Sequence, residues 1–151
     1  MDSASALIEQ LGLAAHPEGG WYKETWRGEP RADGRAQGTA ILFLLRAGEA
    51  SHWHTVDAAE LWFWQAGDPV ELRLAASDQG PARSVILGAD TGAGQQLQGL
   101  VAPHEWQAAR PVTGSGSEAQ HGYSLVSCVV VPGFDFAGFV LAPPGWEPGN
   151  G

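Results

Sequence analysis

The stretch GEASHWHTVDAAELWFWQAGDP, residues 48–69, decides the fold. Residues two apart on a strand share a face, so SHWHTV reads as a strand on which His52 and His54 aim together and Trp53 points away. A turn at VDAA follows, and Glu60 opens a second strand, ELWFWQ, with Trp62 and Trp64 on its own face. Pairing of the two strands brings two imidazoles and one carboxylate together beside indole walls. Gly67, Asp68 and Pro69 end the stretch with turn chemistry.

Outward from this centre the same grammar repeats. TAILFLLR, just before it, is a continuous β-branched and aromatic run, too short to span a membrane and suited to a strand covered on both faces. Further upstream, WYKETWR alternates with period two, which predicts Tyr22, Glu24 and Trp26 on a single face. Gly19-Gly20 before it permits a positive-φ turn or a close backbone approach. GEPRADGRAQG reads as an exposed loop. At the N-terminus Leu7, Ile8 and Leu11 recur at helical spacing, with Ser3 or Ser5 as N-cap and Gly12 as terminator. Downstream come PVELRLAA, ARSVILG, QGLVAP, EWQAA, YSLVSCVVV and GFVLA, separated by Gly and Pro. TGSGSEAQHG reads as a mobile hairpin loop within one domain spanning residues 1–151. Nine or ten short strands without intervening helices predict an all-β sandwich, jelly roll or barrel with a short N-terminal helix.

Composition narrows the function classes. The 151 residues carry 8 Lys and Arg against 17 Asp and Glu, a formal net charge of −9, with no basic run, so nucleic acid is not an expected partner. The single cysteine, Cys128, sits in SLVSCVVV and reads as a small buried hydrophobe. No basic segment leads a long apolar one, so the expectation is a soluble cytoplasmic protein without a membrane partner.

The chemistry of the centre points two ways. His52, His54 and Glu60 suit a divalent metal such as Fe, Mn, Ni or Zn with open coordination positions. Without metal, the same residues serve as general acid and base in a dry pocket. Tyr22, Glu24, Trp62, Trp64 and Trp106 are candidate walls for a small-molecule ligand, with Tyr123 a further aromatic with a polar tip.

The central stretch resembles the first motif of the cupin superfamily, G-x5-H-x-H-x3-4-E-x6-G, with shorter spacing before His52 and longer spacing before Glu60. Four blocks, LGLAAHPEGGWYKETWR, the run from TAILFLLR to VELRL, WQAAR and YSLVSCVVVPGFDFAGFVL, are similar to the cupin family known as DUF985 or cupin-5. The resemblance implies a double-stranded β-helix, the cupin jelly-roll barrel, with a pocket inside and a homodimer in solution. In the second cupin motif the last histidine position falls on Ala108. Gln107 is the nearest replacement metal ligand there, and alternation places His104 elsewhere. By analogy with sugar-nucleotide epimerases of the superfamily, which use a histidine base and a tyrosine acid, the catalytic set His54, Glu60 and Tyr123 implies epimerase- or isomerase-like acid–base chemistry on a sugar-like metabolite. A metal-dependent oxygenase or isomerase, and a non-catalytic ligand carrier, are the alternatives. Only Arg46, Arg73 and Arg110 lie in or near predicted strands, few for a nucleotide diphosphate. Replacing His54 or Glu60 by alanine is expected to remove function and spare the fold.

Overall fold

The computed structural model describes residues 1–112 and 121–149. Residues 113–120, most of the expected hairpin loop, lie outside the described residues. Helix α1 (Ser3–Leu11) is capped by Asp2, whose carboxylate accepts from the Ser5 amide at 2.7 Å, and ends at Gly12 with φ +70°. The cap is therefore Asp2 and not Ser3 or Ser5: it is the last residue before the first helical turn, and its carboxylate reaches an N–H that the helix leaves unpaired.

Eleven strands follow: β1 (Ala14–Ala15), β2 (Trp21–Arg27), β3 (Thr39–Arg46), β4 (Ser51–Val56), β5 (Ala59–Gly67), β6 (Val70–Ala75), β7 (Arg83–Leu87), β8 (Gln98–Val101), β9 (Trp106–Pro111), β10 (Tyr123–Val131) and β11 (Phe139–Leu141). They form two antiparallel sheets, ordered β1-β2-β3-β10-β5-β8 and β11-β4-β9-β6-β7. The large crossovers in this order are those of a jelly roll, and the fold is the double-stranded β-helix. β3 is covered on both faces as its composition requires. Phe43 and Leu45 face the barrel core, while Leu42 and Leu44 meet Leu7, Ile8 and Leu11 of α1.

The inward side chains change character along each strand, and this positions the site. On β3 they run Leu45, Phe43, Ile41, Thr39; on β10 Val126, Cys128, Val130; on β5 Trp62, then Glu60. At one end Phe43, Leu45, Trp62, Leu72, Leu74, Leu87 and Val126 fill the interior as a packed core. At the other end the same strands present Thr39, Ile41, Glu60, Cys128 and Val130 to a chamber.

Two one-residue irregularities revise the expected faces. Between Ser51 and His54, β4 spends three residue steps against two on β9, pairing Ser51 with Ala109 and His54 with Gln107. The extra residue turns Ser51 and His54 inward and leaves His52 outward, so His52 and His54 do not aim together. A second register shift, between Glu24 and Trp26 of β2, keeps Tyr22 and Glu24 on the inner face and rotates Trp26 off it. Trp26 lies instead against Gly28 and Gly38, 52% exposed.

Candidate functional site

The chamber is lined by side chains of five strands and of two connecting segments, the β1–β2 turn and the stretch after β10, that sequence periodicity does not reach. The strands β4 and β5 do not pair, because each belongs to a different sheet, yet His54 and Glu60 meet here across the barrel, joined by His16 and Glu18 from the turn between β1 and β2. This turn is pressed against the barrel. A Cβ on Gly19 (φ +108°) would fall 2.2 Å from the Ala50 carbonyl oxygen, and one on Gly20 (φ +79°) 2.8 Å from Leu45. Gly19-Gly20 therefore supplies both the positive φ and the close approach. The His52 amide donates to the Glu18 carbonyl at 2.8 Å, and the Glu18 side chain enters the barrel, where it shares a short hydrogen bond with the Ser51 hydroxyl.

Hydrogen bonds fix the proton positions. His54 Nδ1 lies 2.7 Å from the His52 carbonyl oxygen, which only accepts, so Nδ1 carries the proton and Nε2 the lone pair. Nε2 faces Glu18 Oε1 at 3.6 Å, longer than a hydrogen bond, and stays available to a ligand. His16 has the opposite tautomer, because its Nδ1 accepts from the Glu18 amide at 3.1 Å. Trp62 Nε1–H can only donate, and it donates to Gln107 Oε1 at 3.0 Å. That orients the Gln107 amide to donate to Glu60 Oε1 at 2.9 Å. The Cys128 thiol adds a further hydrogen bond to Glu60.

Burial sets the ionisation. Glu18 is pushed up to about 8 by desolvation, which its hydrogen bond with Ser51 only partly offsets. Glu60 is pushed up to about 7, again chiefly by burial; His54, Gln107 and Cys128 pull it down and Glu18 adds to the rise. His16 is pushed down to about 4 by burial and then by nearby His54. His54 is also pushed down, with burial the leading cause. The contacts of Glu18 with His16 (3.3 Å) and with His54 therefore join uncharged groups at neutral pH.

This arrangement has a measurable cost. An exposed glutamate ionises near 4.5 and an exposed histidine near 6.5, so between pH 6.5 and 8 the folded chain keeps carboxyl protons that the unfolded chain has lost. Stability must fall as pH rises through that window, by on the order of 1–2 kcal/mol for Glu18. Below pH 6.5 the neutral imidazoles, which the unfolded chain would protonate, act in the opposite sense. The expected result in thermal melts is a decline in Tm from pH 6.5 to 8 that Glu18→Gln flattens.

The remaining expected residues are distributed elsewhere. His52 Nε2 lies 2.9 Å from the Pro143 carbonyl oxygen and lines an outer groove of about 250 Å³ with Trp53, Arg73, Arg110 and Trp146. Trp106 packs on Trp146 on that same outer side, ring centroids 4.4 Å apart. Trp62 is in the core and Trp64 donates to the Asp68 carbonyl. Tyr22 sits edge-on to His16 at 4.5 Å, one step behind the chamber, and Glu24 stands at its mouth, paired with Arg27. Tyr123 packs among the residues beneath α1, outside the chamber, and His104 occupies a turn with φ +66°. The expected metal set does not fit: His52 is on the far side of the bulge, the Gln107 oxygen is taken by Trp62, and its N–H faces Glu60. Among the described residues no three His, Cys, Asp or Glu side chains are placed to hold a metal ion.

A jelly-roll barrel with a histidine from one sheet and a glutamate from the other, aimed together into its open end, defines the cupin class. Within that class, the family described as cupin superfamily (DUF985) matches residues 5–142, and the chain belongs to it. A hypothetical protein from Leishmania major is 33% identical, with a TM-score of 0.85 over 96% of this chain and 90% of that one. A protein from Shewanella oneidensis is 36% identical, with a TM-score of 0.81 over 94% and 85% of the two chains. Oxalate decarboxylase from Bacillus subtilis shares the fold alone, at 10% identity and a TM-score of 0.60 over 85% of this chain and 29% of its own.

Proposed function

We propose that the chamber is the active site of an acid–base enzyme, epimerase- or isomerase-like, acting on a small sugar-like metabolite. The observation that carries this reading is the uncommitted Nε2 lone pair of His54 beside two buried carboxyls that keep their protons near neutral pH. A catalytic acid or base works best when its pKa lies near the working pH. His54 Nε2 takes a proton from the carbon next to a substrate carbonyl. Glu60, held protonated in an apolar site, donates a hydrogen bond to the carbonyl oxygen as charge develops there, a use of neutral carboxylic acids seen in other enzymes. Glu18 returns a proton to carbon, and transfer from His54 Nε2 to Glu18 Oε1 across the gap between them resets the pair. No step requires Tyr123.

The test is exchange of carbon-bound hydrogen with solvent. Hydroxyacetone in D2O should gain deuterium next to its carbonyl faster with the protein than without it; equal rates would overturn the reading.

The homodimer expected from the sequence belongs to this proposal as well. β1 pairs only with Trp21 and Tyr22, so among the described residues the outer edge of β2 from Lys23 to Arg27 is open. An open edge is a template for a second strand, and we place the dimer contact there. Light scattering at micromolar concentration should give twice the 15.9 kDa chain mass; the chain mass itself would contradict it.

A further inference from the structure

The chamber lining carries an unused constraint on what can enter. No Lys or Arg among the described residues lines it. The nearest cations stand outside, where Arg27, Arg35, Asp135 and Phe136 border an outer basin of about 310 Å³. Each is committed to a carboxylate: Arg27 to Glu24 at 2.9 Å, Arg35 to both oxygens of Asp57 at 2.7 and 2.9 Å. An anionic group in the chamber would be buried without a counter-charge and beside two carboxyls, one of the costlier arrangements in a protein. A cationic group meets a different obstacle. An ammonium would lose its water among Ile41, Val56, Val130 and Phe134 and would be balanced only if Glu18 or Glu60, both buried, gave up its proton. What remains is one strong acceptor, His54 Nε2, facing protonated carboxyls that donate. That is the complement of a hydroxyl next to a carbonyl.

The way in is also defined. Glu24 and Phe134 line both the chamber and the outer basin, so the boundary between the two spaces runs through them. The chamber itself holds about 30 Å³, roughly two waters, so a three-carbon ligand fits only once the Phe134 side chain, which forms part of its wall, has turned out of it. The backbone around Phe134 is tied down: the Gly133 amide donates to the Ala36 carbonyl at 2.8 Å, Arg35 Nε to the Gly133 carbonyl at 2.7 Å, and the Phe134 amide to Thr39. With the backbone held, movement here falls to the half-buried side chain, whose ring packs edge-on against Phe136 and Phe139 at 4.8 and 5.7 Å.

We propose that the chamber selects an uncharged hydroxy-carbonyl group, admitted from the outer basin past Glu24 by rotation of the Phe134 ring. This rests on the acid–base reading of the same residues and adds the ligand class and the gate.

The experiment compares three small molecules of similar size: hydroxyacetone (uncharged), lactate (anionic) and 1-amino-2-propanol (cationic). Binding is followed in the intact protein by the Trp62 indole N–H resonance, assigned with Trp62→Phe, because Trp62 is hydrogen-bonded through Gln107 to Glu60. Hydroxyacetone should bind saturably, at least tenfold more tightly than either charged molecule, and shift that resonance. Phe134→Ala should raise both its association and dissociation rates severalfold, with the affinity for lactate still lower. Equal or tighter binding of lactate or 1-amino-2-propanol, or no saturable binding of hydroxyacetone, overturns the selectivity; unchanged rates in Phe134→Ala overturn the gate. Hydroxyacetone that binds with this selectivity but gains no deuterium leaves the inference standing and removes the acid–base function. Deuterium exchange accompanied by preferred binding of lactate does the reverse.

Discussion

Leu44→Ala is expected to lower the unfolding free energy by about 2–5 kcal/mol. Leu44 is fully buried between the outer face of β3 and the apolar stripe of α1, against Ala4 and Leu13 and close to Leu7, Ile8 and Leu11. Truncation removes buried methyl groups and leaves a void that a strand and a helix, each fixed by its own hydrogen bonds, can close only partly. Urea unfolding at pH 7 checks the value. A loss below about 1 kcal/mol would mean that α1 is only loosely seated on the sheet.

His54→Gln is expected to reduce hydroxyacetone exchange by about 10²–10⁴-fold, the range typical of a lost general base, while the fold survives. Glutamine retains a donor for the His52 carbonyl but has no basic nitrogen. The alanine variants are less clean than the sequence alone predicts. His54 is 2% and Glu60 7% exposed, so both are buried in the chamber wall and do not face open solvent. Glu60→Ala leaves the buried Gln107 N–H without its acceptor, at a cost of about 1–3 kcal/mol for a buried polar group left unpaired. Glu60→Gln keeps an acceptor for Gln107 and removes only the acid. Exchange rates and melts on His54→Gln and Glu60→Gln together separate a chemical loss from a structural one. Unchanged exchange in His54→Gln would remove His54 from the mechanism.

Different residues leave different traces in the sequence. The strands and their order of appearance are legible because alternation, β-branched runs and Gly/Pro punctuation are local signals, each the direct product of backbone sterics. TAILFLLR announces its double burial in the same way. Faces are less secure, since one inserted residue reverses them and leaves the composition untouched. His52 and Trp26 both sit beside such an insertion, and both are misplaced by period-two reasoning. Glu18 and His16 are missed for another reason. They lie in a turn, where side-chain direction has no period, and only Gly19-Gly20 marks the place where the chain must come close to something. Glu60 and His54 are found because each begins or ends a regular strand segment near a turn. The place of Gln107 at the site is legible but its role is not: the amide orients Glu60 instead of holding a metal, and that needs Trp62 beside it.

The acid–base reading depends most directly on two carboxyls keeping their protons at neutral pH. A ¹³C NMR titration of the glutamate side-chain carboxyl carbons, assigned with Glu18→Gln and Glu60→Gln, measures this without any substrate. The expected result is two late-titrating signals, one centred near 8 and lost in Glu18→Gln, the other near 7 and lost in Glu60→Gln. Titration of both carboxyls near 4.5, the ordinary glutamate value, would contradict it.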